Sequence, residues 1–150
     1  WAVLIGGGEN HRLGLFDMVL IKDNHVAAAG GVVEATMAAR RYVREQGLSA
    51  EIEVETRTVE EVEQMVVLCK DPDNTGAGRV RRIMLDNMSC ETMKKCVELI
   101  GGLAETEASG NITLETAPAV GATGVTYLSS GALTHSVTAL DISLNIVDVE

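Results

Sequence analysis

The feature that most constrains the fold is a recurrence: short β-like runs alternate with longer helical stretches, and run after run ends in a polar residue. The strand-like runs are Ala2–Gly6, Met18–Lys22, Glu51–Glu55, Arg82–Asp86, Leu103–Glu107 and Val125–Ser129, with a last one over Ala139–Leu144. Between them the apolar spacing predicts helices over Val32–Gln46, Val59–Cys69, Glu91–Ile100 and Leu114–Val120. Gly47 is placed to close the first, Thr58 with Glu61 forms a capping box for the second, and Ser89 or Cys90 opens the third. Such alternation is the pattern of an α/β architecture. The run ends are Lys22-Asp23, Glu53/Glu55, Asp86-Asn87, Glu105/Glu107 and Ser129-Ser130. Parallel α/β folds place ligand sites at the carboxyl ends of their strands, barrels above all. One stray charge there would mean little. A succession of them marks a site.

The strand "EIEVE" sharpens this. Alternation puts Glu51, Glu53 and Glu55 on one face and Ile52 and Val54 on the other. If the apolar pair meets covering helices, the carboxylates face the interior of a barrel, where they need cations or a metal. The competing reading is an edge strand with its glutamates in water. The polar ends of the other strands favour a filled polar site.

The 150 residues suffice for one domain with a core. A formal net charge of −10 without a basic stripe argues against nucleic acid, and no apolar run approaches membrane-spanning length. An anionic ligand would therefore need a local cationic pocket. Cys69, Cys90 and Cys96 show no C-x-x-C spacing, which suits free thiols in a reducing, intracellular compartment. The chain opens with Trp1-Ala2-Val3-Leu4-Ile5, already inside a strand-like run, and reads as a piece of a longer polypeptide. Cytoplasm, plastid and mitochondrion all stay open, because a transit peptide would lie upstream.

Gly6-Gly7-Gly8 followed by Gly14 invites a phosphate-loop reading. It does not match G-x-G-x-x-G opening a helix, since Gly14 leads into Leu15-Phe16-Asp17 and a strand, and no Walker Lys-Ser/Thr follows. The cationic residues His11, Arg12 and Lys22 are the chemically loaded part of this stretch, and the glycines shape the turn that aims them.

The strings "GGGENHRLGLFDMVLIKDNH", "IEVET", "IMLDNM", "ETEASGNI" and "VTYLSSGALTHSVTALDISL" run through the whole chain in the order of a known family. Together they resemble quinolinate phosphoribosyltransferase, and the long insert before "RRIMLDN" resembles the plant or algal form. The resemblance implies an incomplete α/β barrel of the TIM type, with parallel strands inside outer helices. It also implies a smaller mixed domain and a first barrel segment upstream of Trp1, and assembly as a homodimer or higher homo-oligomer. The implied reaction joins quinolinate to phosphoribosyl pyrophosphate with magnesium, giving nicotinate mononucleotide, pyrophosphate and carbon dioxide on the route to NAD.

By the same resemblance, His11, Arg12 and Lys22 hold the quinolinate carboxylates, a task suited to Arg's bidentate fork. Glu53 and Asp86 match the acidic pair near magnesium and ribose, and with Lys22 they are the expected catalytic residues. Hard oxygen donors suit magnesium, which keeps several waters. Ser109, Gly110 and Asn111 match the loop for the 5′-phosphate, joined by Gly131 and His135, with a helix N-terminus expected from Ile112 onward. Asn111 stands where many members have a second glycine, and Asn tolerates a left-handed backbone. No role is assigned to Asp141. Because further basic residues are implied upstream and on a dimer partner, these residues alone are expected to be inactive or nearly so. Two other readings stand beside this one: a barrel aldolase or lyase using Lys22 as a Schiff-base amine, and a non-catalytic binding or assembly fragment.

Overall fold

A computed structural model describes residues 1–135 and 137–147. Its centre is a parallel sheet whose strands follow chain order: β1 (Met18–Ile21), β2 (Glu51–Thr56), β3 (Val80–Asp86), β4 (Glu105–Ser109) and β5 (Tyr127–Leu128). Parallel neighbours need crossovers, and these are right-handed as a rule, so an order that never reverses throws every crossover helix onto one face. That is the arrangement of a barrel segment, whereas a doubly wound sheet reverses and is covered on both faces. The helices α3 (Val32–Glu45), α4 (Val59–Cys69) and α5 (Cys90–Ile100) cover the outer face, with α4 packed between the other two. The fold is an incomplete α/β barrel, as expected.

Alternation then decides what each face carries. Ile52, Val54, Ile83, Leu85 and Ala108 point to the helices and are fully buried with Val62, Met65, Met93, Cys96 and Ile100. The intervening residues, among them Glu53, Arg82 and Glu107, point to the inner face. Glu53 is 0 % exposed on a strand paired on both sides, so the edge-strand reading of "EIEVE" is excluded. One irregularity sets the inner register. Ile52 pairs with Val80 but Glu53 pairs with Arg82, so Arg81 is an extra residue, bulged out of the ladder. Without that bulge Arg82 would fall on the helix side. Arg81 turns instead to solvent and bridges Glu51 and Glu105 near the strands' amino ends.

Helix α3 buries Val32, Ala35, Thr36, Arg40 and Val43, a stripe at helical spacing with one cation in it. The Arg40 guanidinium donates to Asn74 Oδ1 at 3.0 Å and to the Gly78 carbonyl at 3.3 Å, fastening the loop that leads into β3. Gly78 has φ +75° and a Cβ there would sit 3.3 Å from the Arg40 backbone, so glycine is required by both conformation and space. The capping box of α4 forms as expected, Glu61 N–H donating to Thr58 Oγ1 at 3.2 Å. Ser89 caps α5.

Several expectations are corrected. Ala2–Gly6 is not a strand: Ala2–Ile5 forms a short helix, α1, whose backbone groups bond locally. Gly7 (φ +84°) ends it and turns the chain toward His11. The helix α2 (Asp23–Ala29) escaped the periodicity because its alanines form no clear apolar stripe; it starts where His25 Nδ1 accepts the Lys22 N–H at 2.9 Å. Strand β4 begins at Glu105 rather than Leu103, because Gly101 and Gly102 (φ +56° and +80°) first turn the chain out of α5. The last helix, α6 (Ala117–Gly121), begins later than Leu114. Residues 139–144 have no regular element, and Leu140, Ile142 and Leu144 are exposed, with no sheet edge beside them.

Arg40→Met should lower unfolding stability by about 1–3 kcal/mol, the cost of orphaning buried acceptors. Urea denaturation would measure the loss, and limited proteolysis should cut faster between Lys70 and Arg79.

Candidate functional site

The inner face and the loops at the strands' carboxyl ends enclose one cleft of about 1050 Å³. It is lined by His11, Arg12, Lys22, Asp86, Ser109, Gly110, Asn111 and Gly131, so most of the expected site residues share one space. Glu53 lies beneath it as a buried floor residue. His135 is exposed just past the lining, its N–H donating to the Gly131 carbonyl at 2.7 Å at the end of a 3₁₀ turn.

The floor is built from charge. Glu53 (0 %) and Glu107 (1 %) are sealed from water on neighbouring inner-face positions. Arg82 Nη1 donates to Glu107 Oε2 at 2.8 Å and stands 3.8 Å from Glu53, while its guanidinium lies 4.1 Å above the Tyr127 ring. His11 Nε2 stands 2.8 Å from Glu53 Oε2 and 3.4 Å from Glu107 Oε1, and Ser129 Oγ donates to Glu107. Hydrogen bonding to Glu107 and then Glu53 raises the His11 pKa to about 9, against the opposing pull of partial burial. Burial pushes Glu107 upward, but donation from His11 and Ser129 outweighs it and the carboxyl sits below its usual range. For Glu53 burial wins, and its pKa is raised despite His11. The difference follows from partners. Both Glu53 oxygens are buried without a well-aligned hydrogen bond, so this carboxylate lies beneath the cleft with acceptor capacity unspent.

A second layer lies nearer the mouth. The Arg57 guanidinium is 2.9 Å from Asp23, 3.4 Å from Glu55 and 3.3 Å from Asp86. Four residues separate Arg82, opposite Glu53, from Asp86 on β3, so Glu53 and Asp86 stand roughly 13 Å apart along the strand direction. The acidic pair expected to share magnesium is therefore not in one coordination shell. The donor sets differ too. Around Arg57 a cation already stands among three carboxylates, an all-oxygen set that fits magnesium. Around Glu53 the third group is His11, so His11, Glu53 and Glu107 form a mixed nitrogen and oxygen set in which a metal would have to displace the proton that the two carboxylates hold on His11.

Of the expected quinolinate-side residues, Arg12 is half-buried and donates to the Met18 carbonyl at 3.3 Å, and Lys22 is exposed at the start of α2. An exposed amine lacks the desolvation that a Schiff-base lysine needs, so nothing in the site favours the aldolase reading. At the anion loop, Gly110 (φ +92°) and Asn111 (φ +54°) are both left-handed, as Asn111 was expected to be. No helix starts at Ile112; a turn intervenes and α6 begins at Ala117, so the loop offers peptide N–H groups without a helix behind them.

Sequence reasoning missed Arg82, Arg57 and Tyr127 as site residues and gave Glu107 no role. The usable signal was "RRIMLD", where Arg82, Met84 and Asp86 alternate like the glutamates of β2.

Comparisons with known proteins agree with the fold. Residues 1–145 match the family described as "Quinolinate phosphoribosyl transferase, C-terminal domain". The chain is 54% identical over 155 residues to the chloroplastic nicotinate-nucleotide pyrophosphorylase [carboxylating] of Arabidopsis thaliana, covering 97% of this chain and 43% of that protein. It is equally 54% identical over 155 residues to a mitochondrial quinolinate phosphoribosyltransferase [decarboxylating] of Nicotiana glauca, with the same coverage of 97% and 43%. A crystal structure of a NadC deletion mutant superposes with a TM-score of 0.81 at 37% identity, over 99% of this chain and 49% of the other. The chain thus spans less than half the length of the curated relatives it matches.

Because the folded-state pKa of His11 is raised to about 9 from 6.5, its stabilising charge is fully present below about 6.5 and is lost as pH rises through about 9. Thermal midpoints recorded from pH 6 to 10 should fall at the alkaline end, and His11→Gln should flatten that fall.

Proposed function

The chain belongs to the quinolinate phosphoribosyltransferase family, as its C-terminal domain, and from that premise we propose that it supplies the catalytic barrel of a phosphoribosyl-transfer enzyme. The reaction is transfer from phosphoribosyl pyrophosphate to the nitrogen of quinolinate with loss of one carboxylate. The products are nicotinate mononucleotide, pyrophosphate and carbon dioxide, a step of NAD biosynthesis. One observation carries the reading: a single cleft has cations on one side, a buried carboxylate with unspent acceptors in its floor, and left-handed glycine and asparagine turns on the other side.

The chemistry follows from that layout. Lys22 and Arg12 hold the two carboxylates of quinolinate with charge-assisted bonds, and His11 adds positive charge between them and the floor. Glu53 faces the ribose. Its free oxygens accept ribose hydroxyls, and its charge stabilises the positive charge that builds at the anomeric carbon as pyrophosphate departs. Ser109, Gly110, Asn111 and Gly131, with His135 at the rim, take the 5′-phosphate through backbone N–H groups and short side chains. Magnesium, when bound, neutralises the departing pyrophosphate; Asp86 and Glu55 would hold it, with waters completing the shell. Once the ring nitrogen carries ribose it is an electron sink, so the bond to the adjacent carboxylate breaks and its electron pair stays on the ring until a proton arrives. No covalent nucleophile is needed, and the protein contributes orientation and electrostatics.

The parent protein is a homodimer or higher homo-oligomer in this reading, supported by exposed Trp1, Leu13, Leu15 and Phe16. The chloroplastic and mitochondrial names of the plant relatives support an organellar address.

The test is carbon dioxide release from both substrates with magnesium, using the longest polypeptide that carries this sequence. Glu53→Gln should lower kcat by roughly 10²-fold or more, whereas Lys22→Ala should raise the KM for quinolinate by roughly tenfold or more and lower turnover as well. Unchanged kinetics in both variants would remove these residues from the site. Borohydride trapping of a carbonyl substrate on Lys22 would instead support the aldolase.

A further inference from the structure

The anion loop Ser109–Asn111 is held by a residue outside it, and we propose that Asn87 is the positioning residue that sets its shape. The strands β3 and β4 leave the sheet side by side. Asp86 pairs with Ser109, and one step beyond, the Asn87 N–H donates to the Ser109 carbonyl at 2.9 Å. Both chains then pass through left-handed backbone, at Asn87 (φ +53°) and at Gly110 and Asn111 (φ +92° and +54°). Among the described residues Asn87 and Asn111 are the two non-glycines with positive φ, and the structure joins them to each other: Asn111 Nδ2 donates to Asn87 Oδ1 at 3.0 Å. A left-handed non-glycine is disfavoured and persists where its surroundings compensate for it. Here the compensation is mutual.

Space argues the same way. A Cβ on Gly110 would lie 2.3 Å from Asn87 Oδ1 and 2.5 Å from its Cγ, so the Asn87 amide fills the place a side chain would take. One amide thereby fixes how close the Gly110 backbone can come and which way Asn111 tilts. On the opposite flank Ser130 Oγ donates to the Ile112 carbonyl at 2.7 Å and Thr116 Oγ1 to the Asn111 carbonyl at 3.2 Å. Those bonds anchor the end of the loop, while the Asn87 amide packs on its glycine. Asn87 also follows Asp86 directly, so the carboxylate side of the cleft and the anion loop share one turn. The inference rests on the functional reading for the identity of the anion and on the structure for the geometry.

The variant that isolates the amide is Asn87→Gly, which keeps the left-handed backbone and removes the acceptor. In the longest polypeptide carrying this sequence, it should weaken binding of inorganic phosphate and raise the KM for phosphoribosyl pyrophosphate roughly three- to tenfold, the loss of one hydrogen bond. The KM for quinolinate should stay within about twofold, a split that general destabilisation would not produce. The double variant with Asn111→Gly should be no worse than either single one, because both remove the same contact. Unchanged phosphate affinity in Asn87→Gly, additive losses in the double variant, or no phosphate binding by the parent protein would each overturn the inference. If phosphate binding behaves as stated but no carbon dioxide is released, the positioning role stands and the proposed reaction falls.

Discussion

Two carboxylates sealed beneath a cleft are the constraint on which the rest of this structure depends. Glu53 and Glu107 would be prohibitively costly to bury as bare charges. Arg82 and protonated His11 bring the group to neutrality, and Tyr127 covers the guanidinium face. The arrangement demands a particular backbone. Arg82 reaches both acids only because the Arg81 bulge moves it to the inner face, and His11 arrives only because the glycine turn after α1 carries the opening segment over the sheet. Local irregularities here serve a charge balance.

That balance also separates the jobs of the acidic residues. A carboxylate with a donor on each oxygen, as Glu107 has in Arg82 and Ser129, is satisfied by the protein itself. Glu53 has charge compensation nearby but no well-aligned donor, so its oxygens are left for something that enters. Asp86 and Glu55 belong to the outer layer, held together by an exposed arginine that solvent screens and that costs little to move. Depth in the barrel, more than residue type, decides which acid is sealed among protein donors and which stays near the mouth.

Much of this was legible beforehand, and the reasons are physical. Alternation in "EIEVE" puts the glutamates on one face without reference to neighbours, and the polar ends of the other strands then pointed that face inward. Capping by Thr58 and Ser89 is a contact within one turn, and it too needs only local sequence. What failed needed a partner. Ala2–Gly6 and Ala139–Leu144 carry strand patterns, but a strand exists only beside another, and neither segment joins the five-stranded sheet. Arg82 was lost because its face depends on a bulge, a property of two paired strands. The expected helix at Ile112 was displaced by a turn built from Thr113 and Thr116, whose hydroxyl and N–H groups bond each other.

The excess negative charge of the whole chain, −10, would by itself repel a dicarboxylate and a pyrophosphate. The ion-pair map shows how the cleft escapes that. Glu53 and Glu107 are balanced by Arg82 and His11, whereas Asp23, Glu55 and Asp86 share Arg57, so the deep acids are neutralised and the outer layer is partly so. Arg12 and Lys22, by contrast, make no ion pair among the described residues although both line the same space. Committed cations neutralise the protein's own acids, and uncommitted ones face the opening. An anion entering from a negative surface therefore meets two uncommitted cations at close range, where their attraction is screened less than the repulsion of distant surface charge.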